Sequence, residues 1–190
     1  MFTLSIGPTS RKGRGVFTTV EIPKDHCIME FTGPLLSRDQ LPFPYSSVLD
    51  HYTQIGENLY YQGPSGNLDD IINHSCNPNC GLREVNGKLL CFAIRQIRAG
   101  QELSWDYSTM QNSGWWDMEC KCGSMLCRGK IGDFKDLPPH IQQKYLRLGI
   151  VPQYIARHYA PAPLSPFPLP ELVPVRSLRS RKMHRTMAMA

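Results

Sequence analysis

Three cysteines that are close in sequence could bind a metal ion. Cys120-Lys121-Cys122-Gly123-Ser124-Met125-Leu126-Cys127 places three thiols within eight residues, and its glycine allows a tight turn. Thiolates at this spacing are typical of structural Zn²⁺, which takes four ligands in a tetrahedron. The fourth ligand must come from elsewhere, and the candidates are a histidine or one of the four other cysteines, which are Cys27, Cys76, Cys80 and Cys91.

The metal predicted for this cluster would be structural. Residues 114–129 bury too little apolar surface to stay ordered alone, so zinc would hold them against a distant part of the chain. The alternative is that these are buried free thiols. We expect the cysteines outside the site to be small core residues.

A second segment whose residues could take part in chemistry is Asn73-His74-Ser75-Cys76-Asn77-Pro78-Asn79-Cys80. A cysteine and a histidine can form a nucleophile and its base. Here they are only two residues apart, and the neighbouring asparagines and proline indicate a turn, so a catalytic dyad is not favoured. Taken alone, the segment fits a polar loop equally well.

Two further segments complete a pattern. They are Lys12-Gly13-Arg14-Gly15-Val16 and Gly100-Gln101-Glu102-Leu103-Ser104-Trp105-Asp106-Tyr107. In this order, with the two cysteine segments, they resemble the SET-domain protein-lysine methyltransferases that carry a post-SET zinc segment. The resemblance covers about residues 5–130, and with no cysteine-rich block before it the chain resembles a minimal member of that family.

The resemblance implies an enzyme that transfers methyl groups from S-adenosylmethionine to the side-chain amine of lysine in a protein. The substrate would be a histone tail or another soluble protein. Tyr107 matches the family's catalytic tyrosine, and a core aromatic residue is the alternative interpretation. A rival hypothesis is a SET-like module that binds cofactor and peptide without turnover.

Cofactor-binding residues also follow from the resemblance. The backbone around Lys12, Gly13 and Arg14 would cradle the methionine part of the cofactor, because glycine lets a backbone approach a ligand closely. Asn73 and His74 would form hydrogen bonds with the cofactor, and Tyr107 would contact it.

The resemblance assigns Cys76 as the missing zinc ligand, beside Cys120, Cys122 and Cys127. The zinc would then pin the post-SET segment against the cofactor-binding loop. Either Trp115 or Trp116 would pack over the adenine or the substrate channel, with ordinary packing as the alternative.

Phe31, Trp105 and Tyr107 are the residues expected in the substrate channel. The family often has Tyr-x-Gly where this chain has Phe31-Thr32-Gly33, so one channel hydroxyl is missing. Trp105 stands where the family usually has Phe or Tyr, a position that influences the number of methyl groups added. Residues 37–66 correspond to the family's variable insert, whose tyrosines either line the peptide groove or pack; these are Tyr45, Tyr52, Tyr60 and Tyr61.

The predicted fold class is mainly β with short helices. Apolar or β-prone runs predict strands at residues 16–17, 28–31, 58–62, 89–94 and 103–107. Residues 46–55 could form a short helix, residues 64–67 a turn, and residues 154–158 a second short helix. Pro138 and Pro139 precede apolar residues at helical spacing and Gly149 supplies a stop, which predicts a further helix. The resemblance implies a SET (β-clip) fold in which the Asn-His segment and the strand before Tyr107 thread past each other like a knot.

We divide the chain into four parts. These are a SET domain at 1–113, a post-SET zinc segment at 114–134, a helical extension at 135–160 and a disordered proline-rich, basic tail at 161–190.

Composition limits the location and the partners of the chain. Hydrophobic residues make up 41% and charged residues 19%, no apolar run approaches the roughly 20 residues of a membrane span, and no secretory signal is evident. We therefore expect a soluble, intracellular protein, cytoplasmic or nuclear, and a monomer. The net charge is +5, and residues 161–190 hold five basic residues and one acid, which leaves about +1 for residues 1–160. On this basis, nucleic acid would bind only weakly, through the tail.

Overall fold

The computed structural model describes residues 3–42, 52–63 and 67–159. Within them the chain forms twelve short strands in five small sheets, with three short α-helices. The predicted mainly β fold class is confirmed. The predicted disorder of residues 161–190 lies outside the described residues.

The largest piece of the core is covered by a three-stranded antiparallel sheet. Its strands are β3 (Cys27–Phe31), β8 (Cys80–Val85) and β9 (Lys88–Ala93), in the order β3-β9-β8. The β8–β9 hairpin turns at Asn86 and Gly87, which both have positive φ, as a tight two-residue hairpin turn requires.

The glycine-rich segment forms the second strand of a two-stranded sheet. Strand β1 (Leu4–Pro8) pairs with β2 (Arg14–Thr18) in antiparallel fashion. The Leu103 amide donates to the Val16 carbonyl (2.7 Å), which ties β2 to the segment before Tyr107.

A second three-stranded antiparallel sheet consists of β4 (Leu35–Ser37), β6 (Leu59–Gln62) and β5 (Tyr52–Gly56), in that order. The predicted helix over residues 46–55 is therefore wrong for residues 52–55, because the aromatic and β-branched side chains there pair with β6 instead. The rest of that helix, Tyr45 and most of the predicted turn at 64–67 lie outside the described residues.

The Asn-His segment lies parallel to the segment before Tyr107. A one-turn helix, α1 (Leu68–Ile71), leads into β7 (Asn73–His74), which pairs with β10 (Ser104–Trp105). The predicted strand over 103–107 is shorter than expected. The Asp106 side chain accepts a hydrogen bond from the Ser108 amide, and the chain enters a 3₁₀ turn at Tyr107–Thr109.

The cysteine-rich segment and two helices complete the described chain. Strands β11 (Met118–Glu119) and β12 (Lys130–Ile131) form a hairpin that encloses the clustered cysteines. The helix expected after Pro138 is confirmed as α2 (Pro139–Arg147), and the second one as α3 (Gln153–Ala156). Gly149 has φ +63°, the conformation that favours glycine after a helix end.

Buried apolar side chains form three clusters. The largest lies under the β3-β9-β8 sheet, the second joins α2 and α3 to Phe134 and Ile94, and the smallest surrounds two of the clustered thiols. The smallest cluster consists of Cys76, Trp116, Cys120 and Ile131.

The Asp106 carboxylate connects these clusters. It is fully buried and receives two hydrogen bonds of 2.8 Å from the Arg128 guanidinium, one to each oxygen. The Tyr145 hydroxyl in α2 donates a third (2.9 Å). Burial and the Asp106 charge raise the pKa of Tyr145 well above its ordinary value, so the hydroxyl remains a donor.

None of the helices in the described part of the chain is long and apolar enough to cross a membrane.

The Tyr145→Phe change tests this connection. It removes one hydrogen bond from a buried carboxylate, and a bond to a charged group contributes about 1.5–3 kcal/mol. We expect the free energy of unfolding, measured by urea denaturation, to fall by that amount. The matched control is Tyr159→Phe, which removes a hydroxyl from a half-buried ring that packs edge-on against Phe134. An equal loss in both variants would contradict the role of the Asp106 bond.

Candidate functional site

Tyr107 separates two cavities. The first is lined by Phe31, Ile72 and Trp105. The second is lined by Lys12, Asn73 and His74 and by part of the cysteine-rich hairpin. Among the described residues, Tyr107 alone lines both. Its hydroxyl donates to the Ile72 carbonyl (2.8 Å), which holds the ring at the boundary.

The first cavity, which we call the channel, is aromatic and acidic. The Trp105 ring packs edge-on against Phe31 (6.0 Å between centroids) and tilted against Tyr107 (4.7 Å). Asp69 and Asp70 also line the channel, and Asp69 accepts a hydrogen bond from the Thr32 amide (2.9 Å). The channel therefore favours a long aliphatic side chain that ends in a positive charge.

Some of the other aromatic residues line the channel, and others pack elsewhere in the fold. Tyr52, Tyr61 and Trp116 line the channel, whereas Tyr60 is buried in its sheet. Trp115 is 39% exposed, and the Arg38 guanidinium lies 6.0 Å from its ring. Neither tryptophan lines the second cavity.

The second cavity has a volume of about 520 Å³, within the range of roughly 300–1,000 Å³ that is typical of small-molecule and cofactor sites. More than half of its lining residues come from the cysteine-rich segment, namely Asp117, Met118, Glu119, Lys121, Cys122 and Ile131. The wall of this cavity therefore depends on whatever keeps that segment in place.

Glu102 organises the predicted cofactor residues. Its carboxylate accepts bonds from the Lys12 ammonium (2.8 Å) and the Asn73 amide nitrogen (2.9 Å), and that nitrogen also donates to the Arg14 carbonyl (2.7 Å). A Cβ at Gly15 would lie 2.6 Å from the Glu102 carboxylate and 3.0 Å from the Asn73 nitrogen. Only glycine leaves room for this network.

The structure separates the predicted cofactor residues into two groups. Lys12, Asn73, His74 and Tyr107 line the second cavity. Gly13 and Arg14 do not line it, since Gly13 turns the chain with φ +74° and Arg14 acts through its carbonyl.

His74 is a buried, neutral imidazole. Burial lowers its pKa to about 4, against the opposing effect of Asp106. Its Nδ1 accepts the Tyr107 amide proton (3.2 Å), so the ring proton is on Nε2, which faces the Cys76 sulfur at 3.3 Å.

Thiols from two distant segments meet beside His74. Ligand atoms of His74, Cys76, Cys120 and Cys122 all lie within 4.8 Å of one another. The Cys76 and Cys120 sulfurs are 3.6 Å apart, and two sulfurs on one tetrahedral zinc are about 3.8 Å apart because Zn–S is about 2.3 Å. These residues fit a structural zinc.

Two groups compete for the fourth position. His74 is close, and ligation through its Nε2 would place the ring proton on Nδ1, which lies 3.5 Å from an Asp106 oxygen but also accepts the Tyr107 amide proton. The Cys127 sulfur lies 3.9 Å from the Cys120 carbonyl oxygen, which places it beside the same cluster. Structural zinc is held by four cysteines or by three cysteines and one histidine, so both groups suit the fourth position.

Backbone amides surround these sulfurs. The Arg128 amide lies 3.4 Å from the Cys76 sulfur, and the Gly129 amide 3.4 Å from the Cys127 sulfur. Such donors stabilise thiolate charge around a metal.

Of the cysteines expected in the core, Cys80 and Cys91 are fully buried. The expectation is wrong for Cys27, which is exposed at the start of β3.

Sequence reasoning missed Glu102, Asp106, Arg128 and Arg11 as site residues. Arg11 lines the second cavity, and Glu102 holds two lining residues, Lys12 and Asn73. Asp106 lies 3.5 Å from the lining residue His74, and Arg128 in turn holds Asp106. In the sequence, the only indication of their role is that each residue lies within or next to a segment with a predicted function.

A family model for the SET domain matches residues 13–108, just over half of the chain. Among curated proteins, the histone-lysine N-methyltransferase ASHR3 of Arabidopsis thaliana is 32% identical over 71% of this chain and 29% of its own length. The histone-lysine N-methyltransferase NSD3 of Mus musculus is 33% identical over 65% of this chain and 9% of its own length. The chain thus spans less than a third of these relatives.

Solved structures show the same fold. Arabidopsis thaliana SUVH6 in complex with SAM has a TM-score of 0.57 and 25% identity, over 68% of this chain and 33% of that one. KRYPTONITE in complex with DNA, an H3(1-15) peptide and SAH has a TM-score of 0.56 and 22% identity, over 69% of this chain and 30% of that one. From the matched segment, the shared fold and the two cavities that meet at Tyr107, we conclude that the chain belongs to the SET-domain family.

Proposed function

We propose that this protein transfers methyl groups from S-adenosylmethionine to the side-chain amine of a lysine in a protein substrate. The observation that carries the proposal is the position of Tyr107 between the channel and the second cavity. A lysine that enters one cavity and a cofactor that occupies the other would meet at this residue.

The channel residues prepare the lysine. Asp69 and Asp70 attract the ammonium form to the channel. The Phe31 and Trp105 rings of the channel exclude water from the amine, whose free pKa is about 10.4. This desolvation disfavours the charged form of the amine. The proton leaves to water, and the neutral nitrogen then carries the lone pair that attacks.

Tyr107 orients the reacting groups. Its hydroxyl donates to the Ile72 carbonyl, and the same oxygen can act as an acceptor for a hydrogen bond from the amine. When bound, the cofactor supplies a methyl group on a positively charged sulfonium. Alignment of nucleophile and methyl group is the main contribution that the chain makes to the rate.

The second cavity would bind the cofactor. Lys12 and Asn73, held by Glu102, and the neutral His74 ring form one wall, and the cysteine-rich segment forms the other. Gly13 and Arg14 would act through the backbone that positions Asn73.

The third element of the proposal is a structural zinc bound by Cys76, Cys120, Cys122 and Cys127. It would join residues 114–134, as a post-SET segment, to the loop after β7. The His74 Nε2–H and two backbone amides would stabilise the thiolates.

Substrate and location follow from the relatives. Both curated relatives above are named histone-lysine N-methyltransferases, and the KRYPTONITE structure holds an H3 peptide. A histone tail is therefore the first substrate to test, and it would place the protein in the nucleus.

Tyr107→Phe should lower the rate of methyl transfer by about 10- to 1000-fold, the range for loss of one catalytic hydroxyl or amide contact. The measurement uses labelled S-adenosylmethionine and core histones, with mass spectrometry of the labelled sites. Tyr159→Phe, remote from both cavities, is the control. Wild-type protein that binds the cofactor but labels nothing in histones or lysate would instead identify a binding module.

Gly15→Ala should weaken binding of S-adenosylhomocysteine about tenfold or more. The new Cβ displaces the Glu102 carboxylate, and loss of one charged hydrogen bond costs about 1.5–3 kcal/mol. The control is Gly132→Ala, whose Cβ meets only the Asp136 carboxylate at 3.6 Å. Calorimetry that gives equal affinities for both variants would exclude this network from cofactor binding.

Cys122→Ser and Cys127→Ser should each reduce the zinc content of the purified protein well below one per chain and loosen the cofactor cavity. Elemental analysis measures the metal, and Cys27→Ser, at an exposed cysteine outside the site, is the control. If Cys127→Ser retains its zinc while His74→Gln loses it, His74 is the fourth ligand.

A further inference from the structure

Four cations lie on one face, away from both cavities of the proposed active site. Arg95 and Arg98 are in the loop after β9, and Lys144 and Arg147 are on α2. All four are exposed. We call them the basic face.

The basic face is formed by two adjoining cavities that share Arg95. One is lined by Arg95 and Arg98, and the other by Arg95, Lys144 and Arg147. No aspartate or glutamate lines either cavity. Arg95 is itself fixed in direction, since its Nε donates to the Pro78 carbonyl (3.2 Å) and its Nη2 to the Asn77 carbonyl (3.5 Å), while its Nη1 donates to none of the described residues.

These cations differ from most others in the described part of the chain. Nine lysines and arginines there form ion pairs with carboxylates, at Lys12, Lys24, Arg83, Lys88, Lys121, Arg128, Lys130, Lys135 and Arg157. Within the described ranges, none of the four cations of the basic face forms one. Their charge is therefore available to an external anion.

We propose that the basic face binds the phosphate backbone of double-stranded nucleic acid. Such a backbone carries regularly spaced phosphates, so it can contact several separate, exposed cations at once, which a single anion cannot do. Arginine suits phosphate because its planar donors can bind two oxygens at once. An acidic peptide is a poorer match, because apolar lining is confined to Pro78, Ile94 and Leu148 in one cavity, and the Arg95–Arg98 cavity has only polar or small side chains.

This inference changes the interpretation of the net charge. The sum for residues 1–160 is close to neutral, but opposite charges are not evenly mixed over the surface. Most lysines and arginines of the described residues are paired with carboxylates, and four of those that are not lie together on the basic face. Nucleic-acid binding would then belong to the folded domain as well as to the tail.

The test uses the full chain and a labelled 30-base-pair DNA duplex, with binding followed by fluorescence anisotropy over a series of salt concentrations. The variant replaces Arg95, Arg98, Lys144 and Arg147 with glutamine. We expect at least about a tenfold loss of affinity at low salt. The slope of log K against log salt should become less steep by about 3–4, since each phosphate contact contributes about 0.9.

The matched control replaces four ion-paired, exposed cations with glutamine, at Lys24, Lys88, Lys130 and Arg157. It changes the net charge equally and leaves the tail intact, so it should lose less than about threefold. Equal losses in both variants would overturn the proposal, because net charge or the tail would then explain binding.

Two further measurements make the result specific. Poly-glutamate should bind the wild-type chain more weakly than the duplex, and preferential binding of poly-glutamate would overturn the proposal in favour of an acidic protein partner. Methylation of a short free peptide should be unchanged in the basic-face variant, and a loss there would show that the changes disturb the active site instead.

Discussion

The Asp106 carboxylate lies fully buried between three parts of the chain. Arg128 from the cysteine-rich segment binds both of its oxygens, and Tyr145 from α2 donates to one of them. A buried charge is costly unless its partners are in place. Burial acts to lower the pKa of Arg128, but the bonds to Asp106 raise it above its ordinary value, so the guanidinium stays charged. The domain, the cysteine-rich segment and the helical extension are therefore coupled through one side chain.

This coupling explains the geometry of the proposed active site. Tyr107 directly follows Asp106, and its amide donates to His74, the neighbour of the clustered thiols. The same few residues thus fix the tyrosine, the neutral histidine and one wall of the cofactor cavity. A metal bound at the thiols would stabilise that wall from the opposite side. The apolar cluster around the thiols is small, so this part of the chain depends on the same polar groups that position the reacting residues.

Charge is distributed by function rather than evenly. Acidic side chains line the channel, nine cations of the described residues form ion pairs, and the four cations of the basic face form none. A positively charged lysine and a negatively charged backbone would therefore be attracted to different places. Such a separation suits a substrate protein that is itself bound to nucleic acid.

The sequence alone determined the family, the mainly β fold class, most strands, α2 and the segments that supply Lys12, Asn73, His74 and Tyr107 to the second cavity, because these depend on local patterns and on short motifs. It could not determine the strand at 52–55, where pairing with β6 overrides local preference, or the exposure of Cys27. It also gave no role to Glu102, Asp106 or Arg128, and it located the basic charge only in the tail. Those properties depend on which distant groups meet, such as Lys12 with Glu102 across ninety residues, and only the tertiary structure decides that.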